Sequence, residues 1–501
     1  MLLKARVIID ADHPGAYISP DIYGQFVEHL GMHVYDGIWV GPESTIPNQN
    51  GIRKDVIKAL RKIKVPIIRW PGGCFADDYH WQDGIGPRDQ RPSRANLHWD
   101  AIESNEFGTH EFIELCDQLD AIPYINMNVG SGTPKEMRDW LEYLNFPGET
   151  TLTRQRAANG HPEPFQVMHV GIGNESWGCG GHMTPEYYAS EYRRFVTYMS
   201  SFGQMPLYQI AVGPNGADIE WTRRFFGAIA GMTCHCENML YAVSAFALHY
   251  YCNTAGTATE YTEDQWYELL DKALLMESLI LRHRATMDSF DPQRKVNLIV
   301  DEWGTSHPVV PGTKPTWHYQ QNTIRDALVA ALTLDTFNRH ADIVKMSLIA
   351  QMVNVGHSLI LTQEEQMITT PTYHVYDMYS MHQGGQSMPV RIETDKISYK
   401  STNKPGNLTL VEGSASKKGK HFTVSLVNLH AVEPVDINLE FRGHDAPKLV
   451  SWHFLFPESG DIHEHNTFDH PSRVAPKTMY VDESDITLQP ASVNVLGFDT
   501  A

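Results

Sequence analysis

The chain is poor in cysteine, with six in 501 residues, at positions 74, 116, 179, 234, 236 and 252. That scarcity excludes the disulfide-framework class of small secreted domains. No apolar run reaches the length of a membrane span. The opening stretch, Met1–Asp10, lacks both an apolar core of signal-peptide length and a small-residue cleavage site, which predicts a cytoplasmic protein. Cations are in deficit: 40 Lys+Arg stand against 60 Asp+Glu, a formal charge of −20. Such a surface repels polyanions, so a nucleic-acid partner is not expected and a neutral substrate fits better. Among the 25 histidines there is no His-Glu-x-x-His pattern to anchor metal-assisted hydrolysis. Cys234-His235-Cys236 matches no structural zinc spacing, and no second pair stands near it. Neither a metal nor another cofactor is therefore expected. Internal repeats, heptads and low-complexity tracts are also missing.

What the chain does have is an ordinary globular composition, 42% hydrophobic and 20% charged, with ample material for a core. From Ile22 onward, short apolar runs alternate with amphipathic stripes. The runs fall at 22–28, 66–70, 122–128, 165–172, 207–213, 242–250, 296–301 and 344–350, each followed by a helical stripe. Pro134 suits the first turn of one helix, and Thr109 is placed to cap another. Eight strand-then-helix units, with strands apolar on both faces, predict a (β/α)8 TIM barrel over residues 16–383. A doubly wound open sheet is the structural alternative, but no glycine-rich phosphate loop follows the first strand. At Gly384-Gly385 the texture changes to period-two alternation, as in Phe422–Leu429 and Val435–Phe441. This predicts an all-β, jelly-roll-like sandwich formed by residues 384–501 together with 1–15.

Two of the barrel runs end alike. The fourth delivers Gly173-Asn174-Glu175-Ser176-Trp177, and the seventh Asp301-Glu302-Trp303-Gly304. In a closed barrel the fourth and seventh strands face each other across the mouth. Two carboxyl groups flanking a glycosidic bond are the equipment of glycoside hydrolysis, one to protonate the leaving oxygen and one to attack the anomeric carbon. Either glutamate taken alone is also an ordinary charged strand end. Their spacing in sequence does not distinguish retention from inversion, which depends on the carboxyl separation.

With these residues the chain resembles the intracellular α-L-arabinofuranosidases of glycoside hydrolase family 51. The resemblance spans nearly the whole sequence. It rests on Tyr23-Gly24-Gln25-Phe26-Val27-Glu28-His29, Arg69-Trp70-Pro71-Gly72-Gly73-Cys74-Phe75 and Glu103-Ser104-Asn105-Glu106-Phe107-Gly108. It continues through Gly173-Asn174-Glu175, His249-Tyr250-Tyr251, Asp301-Glu302-Trp303, Gln351-Met352-Val353-Asn354 and, near the end, His465-Asn466-Thr467-Phe468 with Pro471 and Val474. The resemblance implies that Glu175 is the acid/base and Glu302 the nucleophile. It implies that Glu28, Asn174 and Gln351 bind arabinose hydroxyls, and that His249 and Tyr251 stand near the nucleophile, with Tyr251 orienting Glu302. Trp99 and Trp177 are candidates for stacking on sugar rings, or for packing at the rim.

Cys74 departs from members that carry Asn after Pro-Gly-Gly, where the amide binds the sugar. Cys179 lies just past Glu175, so the two sulfurs either bond or remain separate thiols. The activity implied is retaining, exo-acting release of terminal arabinofuranose from arabinan, arabinoxylan or their oligosaccharides by a homo-oligomer, commonly a hexamer. The alternatives are another retaining barrel glycosidase, such as a β-xylosidase or endo-glucanase, and a non-catalytic carbohydrate-binding protein. The second of these is expected to lack one of the two carboxylates.

Overall fold

The computed structural model describes residues 3–203, 205–231, 238–253, 256–401, 405–443, 447–479 and 486–500. Eight parallel strands close into a barrel: β1 (Gly24–Phe26), β2 (Ile67–Trp70), β3 (Ile122–Met127), β4 (His169–Ile172), β5 (Tyr208–Asn215), β6 (Ala245–Asn253), β7 (Asn297–Ser306) and β8 (Val344–Ile349). β8 returns to β1 through Leu348 opposite Gly24. The interior is filled by Phe26, Ile67, Tyr124, Ile210, Ile299 and Leu348, all essentially buried. The layered core of large side chains that holds such barrels is therefore present.

The helices outside begin where short polar side chains can cap them. Thr133 accepts from the Glu136 amide, Thr184 from that of Tyr187 and Thr262 from that of Gln265. Pro134, Pro185 and Pro371 occupy first-turn positions, where a missing N–H costs nothing. Thr109 is not a cap. It is already helical, and its hydroxyl accepts from the Trp140 indole. The helix Thr109–Leu119 starts after Gly108, whose amide is taken by the Glu111 carboxylate at 2.9 Å. β7 runs to Ser306, so Glu302 sits inside a strand rather than beyond its end. A helix at Thr151–Ala158 and a hairpin of Arg94–Asn96 with Ala101–Glu103 carry no clear apolar period, and the sequence does not announce them.

The C-terminal domain is sheet-rich. Six strands pair in the order Gln386–Met388, Val411–Lys418, His421–Asn428, Ser492–Asp499, Lys448–Leu455 and Lys477–Met479. A second sheet joins Val390–Thr394, Leu3–Asp10, Val435–Arg442 and Ile486–Leu488, so the N-terminal strand pairs antiparallel with one C-terminal strand and parallel with another. Phe441 of this sheet meets Phe422 and Phe498 of the first, with ring centroids 5.3 and 5.2 Å apart.

The domain lies against the barrel helix Ile324–Arg339, almost every residue of which is buried. There Asp335 accepts hydrogen bonds from Ser414 and Ser425 of the large sheet and from Tyr379. Asn466, from the His-Asn-Thr-Phe run, donates to the Thr369 and Val474 carbonyls and accepts from the Val474 amide, which pins a long loop to the barrel. Cys234, His235 and Cys236 lie outside the described residues. Among the described residues no helix is long and apolar enough to cross a membrane.

Candidate active site

The carboxyl ends of the barrel strands surround a cavity of about 200 Å³, the space of roughly six or seven waters. Its wall includes Glu28, Cys74, Trp99, Glu175, Tyr251, Glu302 and Gln351. Asn174 and His249 are buried beside it: Asn174 accepts from Arg69, and His249 Nδ1 is 3.0 Å from Glu175 Oε1 in the wall. Trp177 does not line the cavity; its indole N–H donates to the Gly213 carbonyl at 3.1 Å, which fastens the β4 turn to β5.

Each acidic side chain is held differently. Glu302 accepts from the Tyr251 hydroxyl on Oε2 (2.8 Å) and from the Arg69 guanidinium on Oε1 (2.9 Å). Arg69 also donates to the Asn174 side-chain oxygen at 2.6 Å and to the Asp301 backbone carbonyl at 3.1 Å. Glu28 accepts from the Phe75 amide, the Trp99 indole and the Gln351 amide group, at 3.0, 3.1 and 3.0 Å. Room for Glu28 comes from Gly72 and Gly73: a Cβ on Gly73 would stand 2.8 Å from its Oε2. Glu175 sits on a turn with φ of 36°, in the left-handed region that side chains other than glycine rarely adopt. The neighbouring amide of Asn174 donates to Asp77, which also takes the Val129 and Gly130 amides. One buried carboxylate thus ties the loops after β2, β3 and β4 together. Gly180 passes so close over the Asn174 carbonyl that a Cβ would lie 1.8 Å from its oxygen.

His249 stands between carboxylates on both sides. Its Nδ1 is 3.0 Å from Glu175 Oε1 and 3.4 Å from Glu302 Oε2, and its Nε2 is 3.0 Å from Asp301 Oδ1. Burial disfavours the charged ring, but Glu302, Asp301 and Glu175 outweigh it and raise the imidazole to about 10. Burial also acts against the Asp301 anion, yet Arg69, His249 and Tyr124 bring its carboxyl down to about 2. Burial and then the Glu302 charge push Glu28 up to about 7. Burial likewise pushes Glu302 above its ordinary value, against the opposing pull of His249 and Arg69. Glu175, His249 and Glu302 have atoms within 4.8 Å of one another, the spacing of a metal-binding triplet. The raised imidazole favours hydrogen on both ring nitrogens, which leaves no lone pair for a metal.

Cys74 and Cys179 are joined by a disulfide, with Cα atoms 5.5 Å apart. The bond forms the wall beside the acid: Cys179 Sγ is 3.5 Å from Glu175 Oε2.

Comparison with known proteins decides the family. A model of the α-L-arabinofuranosidase C-terminal domain matches residues 301–492, and one of the α-L-arabinofuranosidase 1 domain matches 59–266. An intracellular exo-α-L-arabinofuranosidase of Bacteroides ovatus is 40% identical over 480 residues, 94% of this chain and 90% of its own. The crystal structure of the GH51 arabinofuranosidase from Xanthomonas axonopodis pv. citri superposes with a TM-score of 0.93 at 39% identity, over 99% of this chain and 100% of that one. The α-L-arabinofuranosidase of Thermotoga maritima, solved as an arabinose complex, gives 0.86 at 30% identity, over 99% and 100%. This chain belongs to the family 51 α-L-arabinofuranosidases.

Within this family 51 site the sequence reading missed Arg69, Asp77, Asp301, His318 and Gln320. Arg69 and Asp301 left a signal, because a charged residue inside an apolar strand must find a partner once the strand is buried. Asp77 left only its place after Pro-Gly-Gly. His318 and Gln320 reach the cavity through the irregular chain after β7, which no periodicity foretells.

Proposed function

We propose that this chain releases terminal α-L-arabinofuranose from arabinose-containing glycans with retention of configuration. Glu302 attacks the anomeric carbon while Glu175 gives its proton to the leaving oxygen. Glu175 then takes a proton from the water that cleaves the glycosyl ester. The observation that carries this reading is the approach of the two carboxylates, which have oxygens within 4.8 Å. Retaining pairs stand about 5–5.5 Å apart, whereas inverting pairs leave about 6.5–9.5 Å for a water. Hydrogen bonds from Arg69 and Tyr251 aim the nucleophile. Glu28, Gln351 and Asn174 are the hydroxyl-binding set, and Trp99 borders the same cavity. As a raised carboxyl, Glu28 can donate to a sugar hydroxyl as well as accept from one. The Bacteroides relative's name supports a cytoplasmic location. We further propose a homo-oligomer, commonly a hexamer in this family, with residues 16–383 as the catalytic unit and 1–15 plus 384–501 as the second.

Glu302→Ala is expected to abolish turnover of an aryl α-L-arabinofuranoside and to be rescued by azide with inverted product. Glu175→Ala should lose roughly 10²–10⁴-fold, and less on substrates whose leaving group needs no proton. Full activity in the Glu302 variant would remove the assignment. A panel of aryl xylosides and glucosides separates the reading from a β-xylosidase or endo-glucanase.

A further inference from the structure

Asp301 precedes the nucleophile in sequence but points away from the cavity. Its carboxylate is buried and fully engaged: Oδ1 faces His249 Nε2 at 3.0 Å, and Oδ2 accepts from the Tyr124 hydroxyl at 2.9 Å and lies 3.6 Å from Arg69 Nε. The other ring nitrogen faces the two reacting carboxylates. An imidazole with an anion against each nitrogen satisfies both contacts only when both nitrogens carry hydrogen. We infer that Asp301 is a positioning residue for the reaction: it holds His249 as an imidazolium, whose Nδ1–H is a shared donor to Glu175 and Glu302.

The sharing suits the way charge moves in double displacement, and the inference rests on the roles proposed above. Before attack the negative charge is on Glu302, and Glu175 carries the proton. As the bond from Glu302 to the anomeric carbon forms, the bond to the leaving oxygen breaks and the proton leaves Glu175. The charge has then moved from Glu302 to Glu175. A donor 3.4 Å from one and 3.0 Å from the other can follow that charge with a small rotation and without gaining or losing a proton. Fixed donors in a dry site act without reorganising solvent. β4's turn brings Glu175, β7 brings Asp301 and Glu302, and β6 brings Tyr251. Arg69 on β2, Tyr124 on β3 and Glu28 after β1 add further charged and titratable groups, and Tyr188 lies near Asp301. β5 contributes Asn215, which does not titrate. The anions around the ring outnumber the one cation, Arg69, which agrees with the raised imidazole and the lowered Asp301 carboxyl.

The test follows the ring itself. In protein labelled with ¹³C-histidine, the His249 signal is assigned by its loss in His249→Gln. The wild type should keep an imidazolium shift through pH 8. Asp301→Asn, with the same shape and no charge, should let the ring titrate near the ordinary value of about 6.5. Its kcat/KM should then fall as pH rises through that range, moving the basic limb to lower pH than in wild type, with KM little changed. The double variant Asp301→Asn/His249→Gln should lose that pH shift, which a merely structural role for Asp301 would not produce. A wild-type ring that is neutral at pH 8 overturns the inference, even if Asp301→Asn does not fold. So does an Asp301→Asn profile that matches wild type. If instead Glu302→Ala stays fully active, the proposed reaction fails, whatever the ring shows.

Discussion

Two aspartates, Asp301 at the barrel mouth and Asp335 where the barrel meets the sheet-rich domain, are both wholly buried, yet they differ in charge. Asp301 faces an imidazolium, a guanidinium and a phenol, and its carboxyl falls to about 2. Asp335 accepts only from the hydroxyls of Ser414, Ser425 and Tyr379, and burial pushes it up to about 7. Satisfying the hydrogen bonds of a buried carboxylate is therefore not enough to keep it ionised; a positive charge must also bond it, and Arg339, whose guanidinium donates to the Gly413 carbonyl, pulls Asp335 down without overcoming burial. At the mouth, Arg69 and His249 keep Asp301 charged against burial. The interface uses its acid as a many-armed acceptor that can lose its charge at little cost.

The sharpest way to break this contrast is Arg69→Met. It strips the cation from Asp301 and Glu302 together and leaves buried charge unpaired. A loss of about 3–5 kcal/mol is expected, read as a lower urea midpoint, along with near-complete loss of activity. A variant as stable as wild type would mean that the mouth does not depend on charge pairing. Next in size is the covalent tie. Cys74→Ser/Cys179→Ser frees the loops after β2 and β4, which the bond joins across 105 residues. Thermal unfolding should show a loss of about 2–4 kcal/mol, and a dithiol reductant should destabilise wild type in the same direction but not the double variant.

The smallest effect belongs to Asp335. Its folded value lies above its unfolded one, so folding takes up a proton. That contribution is fully present below pH about 4, and it is lost as pH rises to about 7. Asp335→Asn should remove this slope, so that the stability of wild type relative to the variant declines by about 1–3 kcal/mol across that window. Parallel curves from pH 4 to 8 would show that the hydroxyls alone hold the anion and would erase the contrast with Asp301.

Much of the architecture was legible in the residues. All eight barrel strands fall within or beside their apolar runs, because a strand covered on both faces must be apolar throughout. Strand ends single out Glu175 and Glu302, and the family resemblance adds Glu28, Tyr251 and Gln351; all five line one cavity. Trp177, a candidate either for stacking on sugar or for packing at the rim, bonds a backbone carbonyl. Helix starts such as Gly108 misled because the cap was made by a backbone amide and Glu111, not by the threonine beside it. The hairpin that carries Trp99 to Glu28 has no alternation long enough to read.

By itself the sequence determined the barrel and the two carboxylates, because hydrophobic period and strand-end residue types are local properties, and its motifs carried the resemblance to the family. Only the tertiary structure decided how those groups are charged and joined. The ring of His249 between three carboxylates, the bond from Cys74 to Cys179 and the neutralising reach of Arg69 all link residues far apart in the chain. Their energies depend on distances of a few ångströms in a dry interior, which no spacing along the sequence records.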